Sequence, residues 1–191
     1  TINAGFADIN AAVTANRSVE IDEHFGVNGK FSLRPLDTLR ILTGAVINGT
    51  PGTTKYIATL SDATTGNRSL VQYAGISAAT LSPTGSAANY LPATITPASL
   101  SAFNVSVFEG ITTNGAVNGT PLTPTQKLGV VNAVWNIDRT AGTGSANLQL
   151  GWQTPLEGSL FTTLTNTDIG IIYNNGTSYS LPLGTGDNTA N

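Results

Sequence analysis

Cysteine and methionine are absent from this 191-residue chain, and histidine occurs once, at His24. Without thiols there can be no disulfide, no zinc–thiolate site and no cysteine nucleophile. A single imidazole excludes a centre built on two or three histidines, and any Ser-His-Asp relay would have to use His24 as its base. Charge is also scarce, at 10% of residues against about 25% in ordinary globular chains. With a net charge of −3 and no basic stripe, a nucleic-acid backbone is excluded as an expected partner. No apolar run approaches the roughly 18 residues of a membrane-spanning helix, so no membrane insertion is expected. The missing initiator methionine is consistent with a processed or excised piece of a longer product.

What is present is a polar but uncharged surface vocabulary of 29 Thr, 18 Asn, 14 Ser and 21 Gly, with 40% hydrophobic residues to build a core. The apolar residues recur with period two. Val131, Ala133, Trp135 and Ile137 share one face opposite Asn132, Asn136 and Asp138; Leu148, Leu150 and Trp152 alternate with Asn147, Gln149 and Gly151. Such alternation predicts half-buried strands. With the glycines of 140–145 between them, the two runs predict a hairpin, and its tryptophans are expected in the centre of the core. Truncation of a fully buried Trp135 to alanine would cost about 3–5 kcal/mol.

Further strands are predicted at Val19–Phe25, Lys30–Arg34, Leu39–Thr43, Tyr56–Leu60, Ser69–Tyr73, Tyr90–Thr96 and Ala102–Phe108. Asn175-Gly176 between Asp168–Tyr173 and Thr177–Leu181 predicts a C-terminal hairpin. Pro35 and Pro92 belong at edges, bulges or turns, since proline cannot donate to a ladder. No stretch sustains a period of 3.6. Ionisable residues crowd between Asp8 and Lys55, whereas Ser69–Gln126 holds only Glu109. That shift places a boundary near residue 75. The expected fold is therefore all-β: an antiparallel β-sandwich, immunoglobulin-like or jelly-roll-like, over 76–191, preceded by a β-rich extension over 1–75.

The candidates for chemistry are few. Glu20, Asp22 and His24 line one side of a predicted strand, which period two alone explains as a solvated face. Glu109, Asp138, Glu157 and Asp168 could supply a glycosidase pair about 5–10 Å apart only if the fold brought two together. There is no Gly-x-Ser-x-Gly elbow and no phosphate-cradling glycine loop. No catalytic residue, metal site or cofactor is expected. For a ligand platform, Trp135 and Trp152 fall in register with core residues, which leaves Tyr179, beside the Asn175-Gly176 turn, as the candidate for stacking on a ligand. The asparagines of the Asn-x-Ser/Thr triplets, Asn104 among them, are too numerous in such a composition to single out one.

The order Tyr90-Leu91-Pro92-Ala93-Thr94-Ile95-Thr96, Phe103-Asn104-Val105-Ser106-Val107, Val131 to Ile137 with Trp135, Leu148-x-Leu150-x-Trp152, Glu157-Gly158 and Phe161 resembles a known pattern. It is similar to modules in the large surface proteins that Bacteroidetes export by the type IX secretion pathway, adhesins and gliding-related proteins among them. The resemblance spans roughly residues 70–185. Leu36–Leu60 looks like the last rungs of the β-repeat that often precedes such a module. The chain departs from the pattern at Thr80–Gly85, where the family has an FPVG-type segment.

The resemblance implies an exported, extracellular cell-surface protein with no catalytic set to carry over. It also implies O-glycosylation at Asp-Ser/Thr followed by an aliphatic residue, matched here by Thr38 in Asp37-Thr38-Leu39. The expected function is a non-catalytic structural or adhesive module of a surface protein or filament, with neighbouring modules or subunits, and glycans, as partners. The alternative is a carbohydrate-binding module of a secreted hydrolase. Residues 1–16, poor in charge, are expected to add as a strand to a neighbouring subunit's edge.

Overall fold

A computed structural model describes residues 17–21, 24–27, 29–175 and 178–186. The segment 1–16, with the strand addition expected of it, lies outside these residues, as do Asp22 and Glu23. Thirteen strands are described: β1 (Arg17–Ile21), β2 (His24–Val27), β3 (Phe31–Leu33), β4 (Asp37–Ile41), β5 (Val46–Gly49), β6 (Ile57–Thr59), β7 (Leu70–Ile76), β8 (Thr80–Ser82), β9 (Thr84–Gly85), β10 (Ala93–Pro97), β11 (Ser101–Glu109), β12 (Ala133–Ala141) and β13 (Ala146–Leu150). The helical residues described form only short 3₁₀ turns. The all-β expectation is met.

Pairing is mixed. β1, β4 and β7 stack in parallel, with Val19 beside Leu39 and Leu39 beside Val71. β2 and β5 stack in parallel on a second face, and β3, β6 and β9 on a third. Three successive turns of the chain, β1-β2-β3, β4-β5-β6 and β7-β8-β9, thus coil over one another. The antiparallel expectation applies to 76–191, where, among the described strands, only β9, paired in parallel with β6, departs from it. For the β-rich extension no strand direction is expected, since alternation specifies which face of a strand is buried but not the direction of its neighbour. Buried Leu39, Ile41, Val71 and Tyr73 line the first face, and Leu33 and Ile57 the third. Pro35 sits in the tight turn between β3 and β4. There Leu36 adopts φ +76°, Asp37 N–H donates to the Arg34 carbonyl at 2.9 Å, and the Asp37 carboxylate accepts from the Arg34 N–H at 3.1 Å.

From β7 onward the chain becomes antiparallel. β11 pairs with β7 on one side and β12 on the other, which completes a five-stranded sheet ordered β1-β4-β7-β11-β12. β10 lies between β8 and β13 in a second sheet. The connections β7–β8, β10–β11 and β12–β13 each pass from one sheet to the other. Ile95 of β10 joins Val71, Tyr73, Phe103 and Val105 in the same buried cluster as Leu39 and Ile41. One core therefore runs through position 75, where charge alone suggested a boundary.

The predicted tryptophan hairpin does not form. β12 pairs with β11 and β13 with β10. Gly142 (φ +90°) and Gly144 (φ +85°) turn the chain across to the other sheet, and a Cβ at Gly142 would lie 2.3 Å from the Ser101 hydroxyl. Trp135 and Trp152 are also not central. Both are half-buried at the rim of a smaller cluster formed by Leu91, Val107, Ala133 and Leu156. Trp135 Nε1 donates to the Leu91 carbonyl at 3.2 Å, and Trp152 Nε1 to Glu157 Oε1 at 2.9 Å, with its ring edge-on to Phe161. A tryptophan carries a polar handle, and the rim is where that handle finds a partner. The C-terminal arms are joined by the bridges Ile171–Leu183 and Asn174–Tyr179 rather than by full strands.

Stability should follow this geometry. Leu39→Ala, at a fully buried position between neighbouring coils, is expected to lower unfolding free energy by about 2–5 kcal/mol. Trp135→Ala, at the rim, should cost less than the 3–5 kcal/mol of a central site, and Val46→Ala, 46% exposed, should stay within about 0.5 kcal/mol. Urea denaturation of the three variants checks the order.

Candidate functional site

The registers of the five-stranded sheet align one polar row across its outer face. Arg40 of β4 lies beside Gln72 of β7, Gln72 beside Asn104 of β11, and Asn104 beside Asp138 of β12. Glu20 of β1 occupies the same register position. Arg40, Gln72 and Asn104 each have the opposite parity to buried neighbours, so the inward apolar row and the outward polar row arise from one pleat. Gln72 Nε2 donates to Asn104 Oδ1 at 3.0 Å, and Arg68 pairs with Asp138 at 3.1 Å. An exposed ion pair of this kind contributes about 0–1 kcal/mol, so the row is a hydrated hydrogen-bonding surface more than a stabilising device. Arg40, Gln72, Asn104 and Asp138 are about thirty residues apart in sequence, and only the pairing reveals them as a row.

A second feature lies where the coils part. β4 contacts β7, and β6 contacts β9, as ladder partners, but no ladder joins β5 to β8 among the described residues, because β8 pairs with β10 instead. A cavity of about 250 Å³ opens between β5 and β8, with Ile41, Ile47, Tyr73 and Ile76 in its lining. Val46 and Leu81, at 46% and 43% exposure, line its mouth. Tyr73 is almost wholly buried, and burial pushes its phenol well above the ordinary tyrosine value. The Ser82 hydroxyl opposes that rise slightly, but neither hydroxyl makes a hydrogen bond of normal geometry.

The acidic residues singled out in the sequence are each held locally. Glu109 accepts from Ser86 and, at 2.8 Å, from Asn89; Asp138 meets Arg68; Glu157 accepts from Trp152; Asp168 caps Thr165. The Asp168 carboxyl is lowered chiefly by the Thr165 hydroxyl, and that of Asp62 by the Thr65 hydroxyl and then the Thr64 N–H, as in turns closed by their own side chains. Among the described residues no three of His, Cys, Asp and Glu gather. Glu20 and His24 stand on β1 and β2 at backbone level.

Tyr179 is half-buried, and its hydroxyl donates to the Thr112 carbonyl, tying the C-terminal arm to the 112–116 loop. Its phenol is raised by burial, a rise opposed by hydrogen bonds with Asn174 and Gly115. Tyr173, at 62% exposure, is the more open ring. Thr38 lies on the outer face of β4, flanked in register by Ser18 and Leu70. The chain matches no protein-family model, no curated protein and no solved structure.

The Tyr73 phenol yields a pH prediction. Its folded pKa is raised, so the folded chain keeps a proton that the unfolded chain loses near 10. The corresponding stability is complete below about pH 10 and is lost as pH rises beyond it. Melting curves between about pH 8 and about pH 11.5 should fall steeply for the wild type and less steeply for Tyr73→Phe. Equal slopes would show that the phenol is not desolvated.

Proposed function

We propose that this chain is a non-catalytic structural and adhesive module of a secreted, cell-surface protein or surface filament, working through contacts with neighbouring modules or subunits. The observation that carries the reading is the double role of β7. It accepts β4 in parallel on one edge and β11 antiparallel on the other. A stack of coils cannot end on an open sheet edge without inviting uncontrolled pairing, and repeat stacks are closed by atypical terminal elements. β10 to β13 fit that closing role, as two layers of an antiparallel sandwich capping the coils. Placement at the cell surface after type IX export, and glycosylation of Thr38, rest on the sequence resemblance; the outward position of Thr38 supports the latter.

The chemical poverty of the surface agrees with this reading. Its outer sheet face carries amides, hydroxyls and the exposed Arg68–Asp138 ion pair, while Asp62 and Asp168 are tied to turns elsewhere. The competing proposal, a carbohydrate-binding module of a secreted hydrolase, would need the polar row or Tyr173 to hold a sugar. A glycan array decides between them. The structural module is expected to bind no glycan with preference. A defined preference, abolished by Gln72→Ala or Asn104→Ala without loss of fold, would overturn the reading.

A further inference from the structure

The opening between β5 and β8 is a break in an otherwise continuous architecture. By the order of the coils, the free edge of β5 faces the free edge of β8, yet neither bonds to the other. Strand edges left unpaired beside an apolar opening are a template for another strand. A strand inserted there would join β2-β5 to β8-β10-β13 as one six-stranded sheet, its inward side chains entering the cavity above Ile41 and Tyr73. At about 250 Å³ the cavity falls below the roughly 300–1,000 Å³ of small-molecule pockets, and Val46 and Leu81 expose apolar surface at its mouth. These features suit the side chains of an extended peptide better than a separate ligand.

Resting on the structural-module reading above, we propose that the occupant is the segment Thr1–Ala7 of a second copy of this chain. Ile2, Ala4 and Phe6 alternate with Asn3, Gly5 and Ala7, so an extended segment presents one apolar face. Neither segment nor slot carries an Asp, Glu, Lys, Arg or His side chain, and the Tyr73 phenol keeps its proton at neutral pH, so insertion strands no charged side chain. Residues 1–16 can extend about 55 Å, ample reach beyond Arg17. They join β1, and β1, β2 and β3 all lie at the outer edges of their sheets. The segment is thus rooted at the open end of the stack, which a neighbouring copy would meet, while the slot lies between the second and third coils. Donor and acceptor are different surfaces, so the contact is head-to-tail and can propagate.

Analytical ultracentrifugation of the full chain, a variant lacking residues 1–16, and Val46→Lys/Leu81→Lys tests this, with melting curves as the control for folding. Both substituted side chains are nearly half exposed, and a lysine at a strand edge opposes strand addition. The full chain should self-associate with concentration. The truncated and lysine variants should associate at least tenfold more weakly, and a synthetic Thr1–Ala7 peptide should bind the truncated protein but not its lysine form. Self-association unchanged in the lysine variant would overturn the slot while leaving the structural module standing. A full chain that stays monomeric overturns the second-copy occupant, including the case where the peptide binds only the truncated protein because the segment fills its own slot. Failure of the module reading would appear separately, as a glycan preference on the array.

Discussion

The backbone of β7 is the constraint on which the molecule turns. It must satisfy hydrogen-bonding groups on both edges while its inward side chains, Val71 and Tyr73, remain fully buried. On one edge it continues the parallel coils, with Leu39 and Ile41 in register beside those two residues. On the other it starts the antiparallel layer, with Phe103 and Val105 beside them. Because both ladders share that strand, the two kinds of β-structure share one core and cannot pack independently.

The break at β5 follows from the same junction. β7 and β9 keep to the coil, bonded to β4 and β6, but the three residues of β8 lie between them and are claimed by β10 through Ser82, Leu81 and Thr80. Pro83 immediately after β8 has no N–H to give, although its carbonyl accepts from Ile57 at 2.8 Å and holds the third face closed. One face of the third coil has therefore exchanged partners while the other two have not. The apolar opening is the geometric residue of that exchange.

In the proposed reading, function is carried by surfaces rather than by a reactive cluster. The polar row Arg40–Gln72–Asn104–Asp138 and the apolar opening lie on different faces of the coil, one suited to water and polar partners, the other to a strand. A module with these two surfaces can stay hydrated along its length and still make specific contact with a neighbour. Nothing in that task requires a perturbed carboxylate or an activated nucleophile.

How much of this was legible beforehand depends on the range of each interaction. Alternation is local, so the strands at Ser101–Glu109 and Ala133–Ala141 could be read from residue order, and along Leu70–Tyr73 the buried face as well, as could the turns at Pro35 and at Gly142–Gly144. The absence of cysteine and the single histidine restricted the chemistry in the same direct way. Pairing is not local. Period two is the same for a parallel and an antiparallel neighbour, so the hairpin read from Trp135 and Trp152 was a plausible partnership that two positive-φ glycines redirected across the core. The tryptophans' place at the rim depended on where the Leu91 carbonyl and the Glu157 carboxylate came to lie. The polar row and the opening beside β5 exist only once registers among distant strands are set. Composition and alternation thus determined the class of structure and the kinds of side chain on each face, while tertiary pairing decided which faces meet, because backbone hydrogen bonds carry no side-chain identity.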